Sequence, residues 1–130
     1  MVLKIINATE AKVGTNIIVD GTPCTVKKMD VSKTGKHGHA KVRIEAVAII
    51  NGQKKVFVVP GHERLEVPMV LKRKAQVLSI GDGKNINVMD LENFETFEVV
   101  CPEEIKSELE INSNVEYWDV EGQKIIKRKL

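Results

Sequence analysis

The chain reads as all-β, folded as two consecutive antiparallel modules. Three observations carry that reading. Apolar residues alternate with polar ones along most of the 130 residues, the period of strands. Turn pairs such as Asp20-Gly21, Asn51-Gly52 and Glu121-Gly122 punctuate the alternating runs. The charge balance also changes sign part-way along. Residues 1–69 carry 11 Lys/Arg against 6 Asp/Glu, whereas residues 70–130 carry 9 against 12. A first domain over 1–69 and a second over 70–130 are therefore expected.

Within the first module, Ile17-Ile18-Val19 runs into Asp20-Gly21, a strong hairpin signal, and an extended run resumes from Cys24 to Val31. Cys24 and Val26 share one phase and Met29 and Val31 the other, so a bulge is expected between Val26 and Met29. Ala40, Val42, Ile44, Ala46 and Ala48 then share one face, with Lys41, Arg43 and Glu45 on the other. Asn51-Gly52 predicts a type I′ turn, answered by the return strand Val56–Val59, which Pro60 ends. Polar and bounded by prolines, 61–68 predicts a linker there or just after.

Strands restart in the second module at Ala75–Ile80, Asn85–Asp90 and Phe94–Val100. Pro102-Glu103-Glu104 predicts the first turn of a short helix reaching about Glu110, with acids at its positive end. Val115–Val120 and Gln123–Lys127, joined by Glu121-Gly122, form a last hairpin. Five strands with a helix between the third and fourth is the order of an OB-type barrel.

Composition excludes several classes. A chain 42% hydrophobic and 29% charged is not wholly disordered. The longest apolar run, Ala46–Ile50, is too short to cross a bilayer, and the N-terminus shows no signal-peptide pattern. Cys24 and Cys101 are expected to be free thiols in a reducing cytoplasm. No membrane contact is expected, and a monomer is.

The informative segment is Ser32-Lys33-Thr34-Gly35-Lys36-His37-Gly38-His39-Ala40-Lys41. It joins two strands, lacks any large apolar anchor, and places Lys36 between two glycines that let the backbone turn sharply. Gly35-Lys36 is not a Walker loop, because position 30 is Asp and His37 stands where Ser or Thr should hold magnesium. His37 and His39 lack the further ligands of a zinc site. Nucleic acid is the better partner. From Lys27 to Arg43 there are six basic residues against Asp30, and Lys72-Arg73-Lys74 and Lys127-Arg128-Lys129 add two basic triplets. Base stacking is poorly supplied, since Phe57, Phe94, Phe97, Tyr117 and Trp118 are the only aromatics and are expected to fill the cores. The bland reading, a solvated charged face, stays open for any basic cluster.

Ser-Lys-Thr-Gly-Lys-His-Gly-His-Ala-Lys (32–41) resembles the modification loop of the translation initiation factor 5A family, archaeal-type relatives of bacterial elongation factor P. Gly21-Thr22-Pro23-Cys24 resembles the turn preceding that loop, and Val67-Pro68 the interdomain joint. The resemblance implies an SH3-like N-terminal barrel, an OB-fold C-terminal barrel and a non-enzymatic role on the ribosome. It implies that Lys36 receives a 4-aminobutyl group from spermidine through deoxyhypusine synthase, giving deoxyhypusine or hypusine, with no other cofactor. The partners implied are ribosomal RNA around the E site and peptidyl-tRNA. The implied action is to promote peptide bond formation at stalls such as proline runs and to assist termination. Lys33, Lys41 and Arg43 would contact RNA near the modified residue, Thr34, Gly35 and Gly38 would shape the loop, and His37 and His39 would serve the synthase or RNA. Two other classes stay in play: a generic ribosome-associated RNA-binding module, and an enzyme using Lys36 as nucleophile. The latter requires a desolvated lysine, which a glycine-flanked tip does not supply.

Overall fold

A computed structural model describes residues 2–33 and 40–130, with Val2 described by its backbone alone. The chain divides into two compact units, 1–69 and 70–130.

In the first unit β1 (Val2–Asn7) pairs antiparallel with β6 (Arg64–Pro68), and a four-stranded sheet runs in the order β2 (Asn16–Val19), β3 (Thr22–Lys33), β4 (Ala40–Ala48), β5 (Lys54–Pro60). Asp20 and Gly21 at φ 50 and 77 make the expected tight turn between β2 and β3. Register slips between Val26 and Lys28 against β4, so the bulge lies where the change of phase requires it. The face of β4 is as its alternation reads, with Val42, Ile44, Ala46 and Ala48 buried.

Two expectations for this unit are corrected. Of the two places read for a linker, Gly61–Pro68 itself is excluded, because its second half is β6, whereas the two units divide just after it, between Met69 and Val70. Leu65 and Val67 point inward while Arg64 and Glu66 point out, a period-two signal masked by charged neighbours. Asn51-Gly52 is not a two-residue type I′ turn either, because among that pair only Gly52 has positive φ. The connection is wider. The Ala48 N–H donates to the Gln53 carbonyl (2.8 Å) and the Gly52 N–H to the Ala48 carbonyl (2.9 Å). Ile49 explains the extra length: its side chain is buried, and its N–H donates to the Pro23 carbonyl at 3.0 Å.

The second unit is a closed barrel in the order β10 (Asn114–Val120), β11 (Gln123–Lys129), β9 (Thr96–Val100), β8 (Asn85–Asp90), β7 (Val70–Ile80). One short helix, α1 (Glu103–Lys106), lies between the third and fourth of these strands in chain order, as the OB reading requires. It is a single turn and does not reach Glu110, because Ser107 closes it and Leu109 turns into the core. Strand β7 begins at Val70, earlier than read, and β9 begins at Thr96, later than read. Phe94 adopts φ 62 in the β8–β9 turn and is exposed, so it belongs to no strand. Of the other rings of this unit, Tyr117 lies in the core and Phe97 packs edge-on against it at 5.2 Å, but Trp118 alternates to the outer face of β10. The expectation that the rings fill the cores fails for Phe94 and Trp118.

Candidate functional site

The β3–β4 hairpin carries the basic residues singled out by sequence. Its described end is a ladder: Asp30 opposite Arg43, Val31 opposite Val42, Ser32 opposite Lys41, Lys33 opposite Ala40. Thr34, Gly35, Lys36, His37, Gly38 and His39 lie outside the described residues, so the ladder fixes only where that segment leaves and returns. Beyond Met29 strand β3 runs clear of the core, and Asp30, Val31, Ser32 and Lys33 are all exposed. On β4, Lys41 and Arg43 face solvent while Val42 and Ile44 between and beyond them are fully buried. Alternation thus sets Lys41 and Arg43 on the outer face of β4, while Lys33, opposite Ala40, points to the other face and is exposed because β3 has left the core there.

Arg43 is tethered there. Its guanidinium donates to Glu45, two residues along the same face, at 2.7 Å, and Lys54 of β5 reaches the other carboxylate oxygen at 2.9 Å. Hydrogen bonds from Lys54 and then Arg43 hold the Glu45 carboxyl down at about 2. The Arg43 side chain is nonetheless 46% exposed, and an exposed ion pair is weak enough to be exchanged for a phosphate.

A feature missed in the sequence holds the base together. The Gly61 N–H donates to the Ala40 carbonyl at 2.8 Å, so the turn after β5 is bonded to the residue on which the loop returns. A Cβ on Gly61 would stand 3.0 Å from the Thr9 methyl and 3.2 Å from Ala40 Cβ, so only glycine fits without displacement. Pro60-Gly61 reads as a turn by itself. The need for glycine comes from Thr9 and Ala40, which no local pattern reveals.

Elsewhere the chemistry is sparse. Cys24 and Cys101 are free, each buried in the core of its own unit, and burial pushes both thiols up. Such thiols are poor nucleophiles. Among the described residues no three His, Cys, Asp or Glu side chains converge. No helix among them is long and apolar enough to cross a membrane.

The class defined by this architecture is an SH3-like barrel bearing a long basic hairpin, followed in the chain by an OB barrel. Comparison with known proteins sharpens it: the family described as translation initiation factor 5A-like, N-terminal, matches residues 4–62. Translation initiation factor 5A of Metallosphaera sedula is 45% identical over 121 residues, 92% of each chain. That of Thermofilum pendens is 46% identical over 123 residues, covering 93% of this chain and 92% of its own. Among solved structures, a eukaryotic-type translation initiation factor 5A from Methanococcus jannaschii superposes with a TM-score of 0.88 at 42% identity, covering 98% of this chain and 94% of that one. A family protein from Naegleria fowleri gives 0.78 at 26% identity, covering 99% of both. The chain belongs to the translation initiation factor 5A family.

Proposed function

We propose that this protein is a translation factor that works on the ribosome through a modified Lys36. The observation that carries the reading is the Ser32–Lys41 match, supported by a hairpin whose last described rung, Lys33 opposite Ala40, brackets that lysine. Lys36 takes the 4-aminobutyl group of spermidine from deoxyhypusine synthase. A bond from Lys36 Nζ to the butyl carbon replaces the bond from that carbon to the spermidine nitrogen, and 1,3-diaminopropane leaves. The exchange is redox-neutral overall.

The product is a long, thin side chain with a secondary and a primary amine, both protonated at neutral pH. Such an arm enters an RNA-walled channel that excludes a polypeptide loop. From the E site it reaches the acceptor end of peptidyl-tRNA, bridges phosphates and hydroxyls, and holds that end in a reactive geometry. This is catalysis by positioning, with the chemistry left to the ribosome. Its benefit is greatest where the nascent chain aligns poorly, at proline runs and at termination. Lys33, Lys41 and Arg43 contact the RNA backbone around the arm.

Intact-mass and peptide mapping of protein from its native source tests this. The expected result is one aminobutyl group on Lys36, with or without an added oxygen. Active native protein with Lys36 bare would sink the mechanism and leave a generic RNA-binding module.

A further inference from the structure

The second unit is acidic overall, yet its charge is strongly polarised between strands. Of its 9 Lys/Arg, 7 lie on β7 and β11, and of its 12 Asp/Glu, 9 lie between Asp82 and Glu110. β10 sits between β7 and β11 in the barrel, so the two basic triplets, far apart in sequence, flank one strand.

The face they flank is organised around a ring. Trp118 stands opposite Lys72 on β7, whose Nζ lies over the indole at 4.8 Å from its centroid, and Lys127 of β11 lies over it at 4.7 Å. The indole N–H donates to Glu116 at 3.1 Å, and Arg128 donates to the other oxygen of Glu116, also at 3.1 Å. The ring is therefore held in place before any partner arrives, which lowers the ordering cost of binding. A bulge completes the face. Glu116 pairs with Arg128 but Tyr117 with Ile126, leaving Lys127 as the extra residue. Bulges re-aim side chains. Here two consecutive residues, Lys127 and Arg128, both reach outer-face partners. On β7 alternation does the complementary sorting, sending Arg73 to Asp90 and leaving Lys72 and Lys74 exposed.

A tryptophan between cations on an otherwise acidic barrel matches the needs of single-stranded nucleic acid: a platform for a base and positive charge for its phosphates. Lys72 is exposed and Trp118 and Lys127 half-buried, and cation–π contacts open to solvent are weak, so the lysines can exchange the ring for phosphate oxygens as a base takes their place. We propose that the outer face of β7, β10 and β11 is a single-stranded RNA contact site, with Trp118 stacking a base and Lys72, Lys74, Lys127 and Arg128 taking the flanking phosphates. The site lies on the second unit and does not depend on modification of Lys36.

Trp118 is the single tryptophan of the chain and reports on its own site. Unmodified full-length protein is titrated at low salt with a 12-nucleotide oligouridylate, following tryptophan emission and, in parallel, the anisotropy of end-labelled RNA. Saturable quenching that tracks the anisotropy is expected. Lys72→Gln with Lys127→Gln, both on the barrel surface, should weaken binding about tenfold or more and make the log–log salt slope shallower by about 1.4, near 0.7 for each lost phosphate contact. Trp118→Leu should weaken anisotropy-detected binding while the lysine pair shows that the fold is not at issue. Unquenched tryptophan at RNA saturation, absent binding, or wild-type affinity and slope in the double-lysine variant would each overturn the site and leave this face for a protein partner.

Discussion

The two units hold their strands together by different means. The first has a core of aliphatic and small residues, among them Ile17, Val26, Ile44 and the alanines 8, 11, 46 and 48. The second has a comparable apolar set but also encloses Asp90, which among the described residues is the one buried charged side chain. Asp90 accepts from the Tyr117 hydroxyl, from Arg73 Nε at 2.8 Å and Nη2 at 3.3 Å, and from the N–H groups of Glu92 at 2.7 Å and Asn93 at 3.1 Å. A carboxylate has about four acceptor sites, and here they are all engaged. The network ties β7, β10 and the turn after β8 to one point. Specific polar geometry thus fixes the second unit, whereas apolar alternation fixes the first and leaves its hairpin charges on the surface.

Asp90→Ala is the largest way to break that contrast. It strands the Tyr117 hydroxyl, leaves the Arg73 guanidinium only its longer pair with Glu92 at 3.3 Å, and empties the anchor of the 91–95 turn. Removing one partner of a buried, hydrogen-bonded charge costs about 3 kcal/mol or more. Urea unfolding followed by Trp118 emission should show that loss, while amide NMR signals of residues 2–33 keep their wild-type midpoint. An equal loss in both units would mean that they unfold as one cooperative body.

Gly61→Ala probes the other side. The new methyl must push Thr9 or Ala40 by a few tenths of an ångström, and overpacking of this kind costs about 2 kcal/mol. The first unit alone should weaken in the same urea experiment, and adding Thr9→Ser should recover part of the loss. No change in its midpoint would show that the base of the hairpin yields freely.

Acid should separate the units by a smaller margin. Hydrogen bonds from Arg73 above all hold the Asp90 carboxyl well below the usual carboxylate range, against the opposing effect of burial. A depressed folded pKa contributes stability in full above the unfolded value, about 4, and loses it as pH falls toward the folded value. Glu45 is also depressed, to about 2, but its partners lie on the surface of the first unit, where the contribution is weak. The urea midpoint of the second unit should therefore fall more than that of the first between pH 5 and pH 2.5. At the alkaline end Tyr117 is pushed up to about 12 by burial and by Asp90, so its contribution holds below about pH 10 and fades as pH rises toward 12. Each unit has one buried thiol pushed up in the same direction, so the cysteines do not distinguish them.

Much of this was legible in the sequence because strands with one buried face write their register into alternation. The slip after Val26 and the inward face of β4 follow from period two, and the OB reading from five strands with a helix between the third and fourth. Leu65 and Val67 carry the same signal, but Arg64, Glu63 and Glu66 around them read as a linker, and β1 as partner is remote in sequence. Nothing local distinguishes Asp90 from a solvated turn aspartate, since its burial depends on Arg73 and Tyr117 on other strands. Trp118 is similar: alternation with buried Tyr117 was enough to place it outside, yet the general burial preference of aromatic rings pointed the other way. For the loop, the motif 32–41 names the residues, whereas its scaffold at Gly61 and Glu45 is a matter of contacts.

The smallest expected effect on folding belongs to the residue on which the proposed function depends most. The segment 34–39 contains no large apolar side chain, and substitutions away from packing shift stability by less than about 0.5 kcal/mol. Lys36→Arg should therefore melt with the wild-type protein. Arginine keeps one positive charge but ends in a planar, permanently protonated guanidinium that cannot take the aminobutyl group as a lysine amine does. If a cation at this place were enough, the variant would relieve stalling as well as modified protein does. If reach and the second amine matter, it fails on a proline-rich template in a reconstituted translation assay while still sedimenting with ribosomes through its other basic residues. Full activity would refute the arm mechanism and favour the generic RNA-binding module. Lost activity with an unchanged melt would show that Lys36 serves function alone, the furthest point of the contrast with Asp90.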